Sequence, residues 1–501
     1  MAIALTCANV CYRKVRAIVY PPEHLRQLPH VSFFTFFKAL LSNITVDQFS
    51  SEVIVPITLQ SNGAHVTPTI AHWSVHLTDP VAIKQLLVKG DMFPKSTINQ
   101  GFPGTLIYRY IGGDNIVMLS GEPWVRHRKI ANRAFKGSLP LALFGELTQN
   151  MFAAMDGLDN SRIDVLDLFE RLTLDTIGRS GFDFDFHALD QRDNEWVERY
   201  NAIKVGILDP FFLIFSVFDT TLLNWFPKRR AVHQKLTEFL GMLDAIIEQR
   251  RTELEKGTNT AIKDEDKDLL TLMIESERTE GAGLSNEELR RNLCIFFLAG
   301  HDTTAFTLTA IIYELAHNPS LQERARQEVI DVLGDAPEDV IPTAQDTKRM
   351  PFLNAIMKET MRLHNPVLNT TVREVMEDVQ LGNVSLPKGT LVSADILGVH
   401  RNPKCWNNPT KFDPERFMPG GENERQSGSG LAWIPFSHGG RICVGMNFSI
   451  AEQRTVLAML LRKYTWSLPQ DTVHKEGLVT HGVAFGIITT DDLYAQFEKR
   501  Y

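Results

Sequence analysis

The chain has 501 residues, of which 44% are hydrophobic, 22% charged and 9% aromatic, with 32 glycines and 24 prolines. These ordinary proportions exclude collagen-like, low-complexity and disordered chains. The 60 acidic residues outnumber the 52 basic ones to leave a net charge of −8, which argues against a dedicated nucleic-acid binder.

The start of the chain, Met1 to Tyr12, is uncharged and mostly apolar, and Arg13, Lys14 and Arg16 follow. It falls short of the ~20 apolar residues that span a membrane, and reads as an interfacial segment, the remnant of an anchor, or a signal-like run. Pro21-Pro22 then punctuates the chain. No long Pro/Ser/Gly-rich linker and no internal repeat follow. Residues 1–20 are therefore read as a short apolar and basic segment and 21–501 as one large domain, although length alone allows three.

Helical periodicity dominates the second half. Ser285-Asn-Glu-Glu288 is a capping box, with Leu284 and Leu289 placed as a hydrophobic staple. The helix it opens extends to about Asn318, where Pro319 ends it. That is roughly 33 residues, or ~50 Å, long enough to cross a whole domain core. A second helix is expected over Phe352 to His364. Extended segments are expected over Val379 to Val384 and Thr390 to Ala394, with Pro387-Lys388-Gly389 as a turn between them. A last amphipathic helix is expected from about Cys443 to Tyr464. The few strands fall late in the chain, so the pattern is mainly α, of α+β type.

Five cysteines, Cys7, Cys11, Cys294, Cys405 and Cys443, show no repeated compact spacing. The odd, low count fits a reducing compartment, and Cys7 with Cys11 lacks the second pair that a zinc site needs. Cys443 stands apart. Phe436-Ser-His-Gly439-Gly-Arg441-Ile-Cys443-Val-Gly445 is a glycine-rich loop that delivers one thiol to a helix start. The positive end of the helix dipole and its unpaired N–H groups stabilise a thiolate. Gly439 and Gly445 allow close approach of a flat cofactor, Arg441 can pair with a carboxylate on it, and Phe436 can screen the sulfur from water. A lone cysteine is more often a buried structural residue. Five fixed positions in F-x-x-G-x-R-x-C-x-G make a chance match in ~500 residues about 10⁻⁴ or rarer.

This loop resembles the haem-binding loop of the cytochrome P450 superfamily, whose cysteine thiolate favours O–O cleavage on the iron. The resemblance implies haem b, with Cys443 as axial ligand, Arg441 as a propionate partner, and Phe436 and Gly445 beside the cofactor. Ala299-Gly300-His301-Asp302-Thr303-Thr304, inside the long apolar helix, is similar to the family's oxygen-activation motif. There Ala299 and Gly300 would leave room for O₂, Thr303 would hydrogen-bond at the oxygen site, and Asp302 would feed protons through water. Read from the residues alone, a Thr bonding back to a helix carbonyl is an equal alternative. Glu359-Thr-Met-Arg362 and Arg416 in Phe412-Asp-Pro-Glu-Arg416-Phe417 resemble the family's Glu–Arg–Arg triad, a structural lock on the cysteine loop. Trp124-Val-Arg-His-Arg128 is similar to the W-x-x-x-R helix, with Trp124, Arg128, Arg373 and His400 as further propionate contacts.

The resemblance, spanning about Pro21 to Phe485, implies a single helical haem domain with a smaller β-rich portion. It looks eukaryotic and microsomal, with a fungal style of motif. The implied enzyme is a monooxygenase that inserts one atom of O₂ into a small lipophilic substrate: a steroid, fatty acid, terpenoid or xenobiotic. With no Rossmann fingerprint in the chain, its electrons come from NADPH through a separate diflavin reductase, with a cytochrome b-type donor as the other source. The implied pocket draws on Phe102–Met118, Phe211–Phe226, Phe296, Phe297, Val367 and Phe485, and within Phe211–Phe226 core packing is weighed ahead of a membrane-dipping lip. A monomer on the cytosolic face of the endoplasmic reticulum, in peripheral contact with the membrane and with no nucleic acid partner, completes the expectation. Two other classes stay open: a haem-thiolate isomerase or dehydratase acting on hydroperoxides without O₂, and a non-catalytic haem-binding sensor.

Overall fold

The computed structural model describes residues 12–13, 15–42, 44–69, 72–157, 162–256, 267–277, 283–426, 430–482 and 486–501. Cys7, Cys11 and Phe485 lie outside them. The helices that place the site are α1 (Gly121–Ala134), α2 (Leu141–Asp156), α3 (Val165–Ile177), α4 (Glu195–Ile207) and α5 (Pro227–Glu255), followed by α6 (Asn286–His317), α7 (Pro351–Leu363), α8 (Ile396–His400) and α9 (Met446–Lys463).

Helix α6 is the axis. Its 32 residues span about 48 Å at 1.5 Å per residue. The capping box forms as its spacing requires: Ser285 Oγ accepts from Glu288 N at 3.2 Å and Glu288 Oε2 accepts from Ser285 N at 2.8 Å. Leu284 and Leu289 are both buried beside it. Leu289–Phe297 joins one hydrophobic core with α4 and α5, and Ala305–Ala316 joins another with α2, α3, α7 and α9. Among the described residues it is the one helix long and apolar enough to cross a membrane, and it is buried in the protein. Its closest partner is α3. Gly300 lies at that contact, where an added Cβ would meet Ile177 Cγ1 at 2.8 Å. Its smallness therefore serves helix packing and not room for O₂.

The strands are not confined to the end of the chain. β1 (Ala64–Pro68) and β2 (Trp73–Leu77) pair with β7 (Leu391–Ala394) and β4 (Arg373–Glu374) in one sheet of order β1-β2-β7-β4, with β2 and β7 parallel. β1 and β2 are buried throughout, so they lack the polar–apolar alternation that marks a half-exposed strand. A second sheet orders β3 (Arg162–Asp164), β9 (Tyr494–Lys499) and β8 (Tyr464–Ser467). The segment expected as one strand over Val379–Val384 is a hairpin of β5 (Val379–Leu381) and β6 (Val384–Leu386), turned at Gly382 with φ +53°. The last helix starts at Met446, so Cys443 lies in the turn before it.

Candidate active site

The cysteine loop is closed by its own backbone. Cys443 N donates to Phe436 O at 2.9 Å, and Gly439–Arg441 forms a single 3₁₀ turn between them. Gly439 has φ +70°, and a Cβ there would meet Leu87 O at 2.4 Å. Gly445, with an ordinary φ of −86°, instead caps α9. Phe436 packs against the core. Cys443 is a free, exposed thiol, yet burial pushes its pKa up, opposed by a hydrogen bond from Gly445 N–H and the charge of Arg128. Both hold because the thiol faces a slot inside the molecule.

Four cations surround that slot. Arg128 Nη1 donates to Ile442 O at 2.8 Å. Arg441 lies 3.7 Å over the Trp124 ring and donates to Leu119 O at 2.9 Å. Arg373 Nη1 donates to Phe93 O at 3.0 Å, while its buried Nε has no partner. Lys95, missed in the sequence, donates from Nζ to Val117 O at 2.5 Å. Burial and mutual repulsion lower them: Lys95 feels Arg441, Arg373 and Arg128, and Arg441 drops to about 10 through burial, Arg373 and Arg128. Burial alone brings Arg373 to about 10. Converging buried cations with an unpartnered guanidinium nitrogen, beside a thiol, fit a flat cofactor carrying two carboxylates.

His400 does not join this cluster. It is fully buried, its charged neighbours are Arg362 and Arg401, and its Nε2 accepts from Ile434 N at 2.9 Å. Its carbonyl accepts from Arg362 Nη1 at 2.7 Å. It therefore bridges the Glu–Arg–Arg network to the strand of chain that leads into the cysteine loop. In that network Arg362 grips Glu359 at 2.7 and 2.8 Å, and Arg416 Nε donates to Glu359 Oε1 at 3.3 Å. Glu422, a partner invisible in the motif, accepts from Arg416 Nη1.

Ala299, Asp302 and Thr303 of α6 line a cavity of about 580 Å³, a size typical of small-molecule sites. Thr303 Oγ1 donates to Ala299 O at 2.9 Å, so the back-bonded alternative is realised and its lone pairs face the cavity. Asp302 Oδ2 accepts from Tyr200 O–H, and Oδ1 lies 4.0 Å from Lys204 Nζ. Lys204 pairs with Glu170 at 2.5 Å, and burial pushes that carboxyl up. Glu170 and Lys204 line a small inner cavity together with Asp302, and also an outer cleft beside Asp167 and Asp492.

The apolar lining comes from Ile98, Phe102, Ile107, Ile111, Val117, Phe212, Ile295, Leu298, Val367 and Leu368. Phe296 and Phe297, expected in the pocket, do not line it. The helical repeat turns Ile295, Leu298, Ala299 and Asp302 to the cavity. Phe297 then packs among Phe186, Tyr200 and Phe239, and Phe296 against Phe135. Core packing over Phe211–Phe226 holds only in part. Phe212 is buried, while Phe215 and Trp225 are 47% and 73% exposed.

A thiol loop beside a cluster of buried cations, and an acid–alcohol helix lining an apolar cavity, are the marks of a haem-thiolate oxygenase. Residues 70–489 match the family model described as Cytochrome P450. The chain is 32% identical over 378 residues to cytochrome P450 4F1 of Rattus norvegicus, covering 72% of this chain and 69% of that one. Leukotriene-B4 omega-hydroxylase 3 of Mus musculus shows the same 32% identity over 378 residues, with 72% and 69% covered. The fold matches the crystal structure of the cytochrome P450DA haem domain with a TM-score of 0.72 and 24% identity, over 92% of this chain and 95% of that one. The chain belongs to the cytochrome P450 family. It is a haem b monooxygenase that acts on a lipophilic substrate with O₂ and NADPH-derived electrons from a reductase.

Proposed function

We propose that residues 21–501 form one haem domain in which Cys443 is the axial ligand and Asp302 with Thr303 serves the oxygen side. The support for this is a cluster of Lys95, Arg128, Arg373 and Arg441 in which Arg128 acts on the Cys443 thiol, together with the Asp302–Thr303 pair on the wall of the cavity of about 580 Å³. The support for one domain is a core that joins Val31–Ile57 to Phe306, Leu368, Leu397 and Ile488.

When bound, the haem supplies O₂ binding and O–O cleavage, helped by electron donation from the thiolate. The residues do the rest. Gly445 N–H and Arg128 favour the ionised sulfur. Trp124, Arg128, Arg373, Arg441 and Lys95 would hold the two propionates, and the unpartnered Arg373 Nε would be free to donate to one of them. Asp302 offers Oδ1, the oxygen not bonded to Tyr200, for proton relay, and Thr303 orients water or oxygen through its lone pairs. Glu170 and Lys204 pass protons from the outer cleft to Asp302. The apolar walls hold the substrate body and exclude bulk water, which keeps those proton transfers directed.

The relative named for hydroxylating leukotriene B4 supports a lipid-like substrate. Exposed Phe34, Leu41, Phe215 and Trp225 flank the elements whose Phe36 and Phe212 line the cavity, which supports peripheral contact of a monomer with the cytosolic face of the endoplasmic reticulum. A diflavin reductase is the proposed donor, docking at the face that carries exposed Lys129 beside Arg128.

The test is reconstitution with a diflavin reductase, NADPH and ¹⁸O₂. One ¹⁸O per product molecule and a thiolate-type spectrum of the reduced carbon monoxide complex, lost in Cys443→Ala, are the expected results. Retention of that spectrum in Cys443→Ala, or oxidation that needs neither O₂ nor NADPH, overturns the reading.

A further inference from the structure

The cavity that Thr303 lines has a second polar wall, remote from the cofactor in sequence and on different elements. Thr67 of β1, Ser74 and His76 of β2, His72 just before β2, Asn369 and Asp395 all line it. Two of their polar atoms, Thr67 Oγ1 and His72 Nε2, are buried with no hydrogen-bond partner, whereas Asp395 Oδ2, also without a hydrogen bond, faces His65 Nε2 at 3.7 Å. Thr67 and Asp395 are 6% and 2% exposed, so solvent does not compensate them. The others are already networked: His76 Nδ1 meets Asn369 Oδ1 at 3.0 Å and its Nε2 meets Ser74 Oγ at 2.9 Å. Unpaired buried polar atoms are costly, and two on one cavity wall point to a ligand that satisfies them.

The wall carries no fixed positive charge. Among the described lining residues there is no lysine or arginine, and two are aspartates besides Asp395, namely Asp219 and Asp302. Burial holds His72 and His76 down to about 4, so both are neutral at pH 7. Behind them His65 stacks on His76 at 5.5 Å and stands 3.7 Å from Asp395, and burial together with His76 keeps it neutral as well. A carboxylate placed here would be desolvated without a counter-charge, which is costly. A hydroxyl both donates and accepts, and matches a neutral imidazole, a threonine hydroxyl and a carboxyl oxygen.

We propose that this wall, centred on Thr67 and His72, is the anchoring site for an uncharged hydroxyl head on an otherwise apolar substrate. The body then lies along the apolar lining toward Ala299 and Thr303, and oxidation falls on carbon remote from the head. This rests on the monooxygenase reading for its chemistry but not for its binding step.

The experiment measures equilibrium binding to the ferric holoprotein by calorimetry, with octan-1-ol, octanoate and octane as probes at pH 7.5. Octanoate is expected to bind at least ~10-fold more weakly than octan-1-ol. Thr67→Val keeps the shape and removes a hydroxyl with no protein partner, so folding and octane binding stay unchanged. Octan-1-ol affinity falls about 3–10-fold. If Thr67→Val is poorly expressed, His72→Phe, which removes the unpartnered Nε2 but also the Nδ1 contact with Thr69 Oγ1 at 2.9 Å, is read by the loss of octan-1-ol binding relative to octane. Equal or tighter binding of octanoate, no binding of octan-1-ol, or an equal loss for octane and octan-1-ol in both variants overturns the inference. The monooxygenase reading fails separately, through the carbon monoxide spectrum and ¹⁸O₂ incorporation.

Discussion

Replacing His400 tests how the cysteine loop is held. The ring is fully buried, and burial with the nearby Arg362 drops its pKa to about 3. It is neutral at every working pH, so Nε2 is a lone-pair acceptor for Ile434 N at 2.9 Å and the proton sits on Nδ1. His400→Phe keeps the volume and leaves the Ile434 N–H buried without a partner, at a cost of about 1–3 kcal/mol. If loop opening limits haem release, release accelerates about 5- to 150-fold. His400→Gln supplies a carbonyl oxygen at the same reach and should stay within about threefold of the parent, because an amide acceptor replaces the imidazole one. Haem transfer to an excess of apo-globin measures the rate, and the carbon monoxide spectrum measures the thiolate fraction, both from pH 5.5 to 8.5. Little pH dependence is expected from this residue. A His400→Gln protein as damaged as His400→Phe, or a His400-dependent transition near neutral pH, refutes the argument and restores a direct propionate contact.

Further outcomes test the other parts of the site. Asp302→Asn should cut turnover by about 10²-fold or more, and Thr303→Val should keep haem but send electrons to hydrogen peroxide, read as peroxide per NADPH. Glu170→Gln should give a milder fall of the same kind, and unchanged coupling in all three removes the proton route. Glu452 is fully buried, both its oxygens lack hydrogen bonds, and burial pushes its pKa to about 8 from an ordinary 4.5. The folded state holds this proton while the unfolded chain releases it. The stabilisation present below pH 4.5 is thus lost as pH rises toward 8, by about 2 kcal/mol between pH 6 and 8. Glu452→Gln should flatten that part of the unfolding profile, and an unchanged slope contradicts the assignment. Arg416→Leu should cost about 3–5 kcal/mol, and the Arg416→Leu/Glu422→Gln double variant little more. Additive losses in urea unfolding would separate Glu422 from the network.

The readable parts of the sequence were those fixed by local chemistry. The Ser285–Glu288 box sets the start of α6 because both of its hydrogen bonds lie within four residues. The cysteine loop was readable because its glycine, arginine and cysteine must keep one spacing. Residues brought in by the fold were not. Lys95 meets Arg373 through a bridge between distant segments, and Tyr200 reaches Asp302 from another helix. Neither carries a local pattern. Phe296 and Phe297 misled because composition names an apolar helix but not which side faces a cavity; one residue's difference, from Ile295 to Phe296, is a 100° turn of the helix. β1 and β2 were missed because strands buried on both faces have no alternation, and their partner β7 lies about three hundred residues on.

The width of the cofactor slot is set by contacts that lie outside it. Helix α1 carries Trp124 and Arg128 on the cation side, and its Arg126 and His127 both bond to Glu288, the residue that caps α6. The helix that follows Cys443 is tied to α6 by Ser449 Oγ, 2.8 Å from Thr304 Oγ1 and one residue beyond Thr303. Gly300 lets α6 approach α3 until Ile177 stops it. These three contacts fix α6 from its start, its middle and its back, while the His400 bridge fixes the thiol loop from below. The acid–alcohol pair and the sulfur therefore belong to two separately anchored walls. Polar atoms left unpaired between them, such as Arg373 Nε, are held open by packing elsewhere and do not collapse onto protein partners, which is what a preorganised binding site requires.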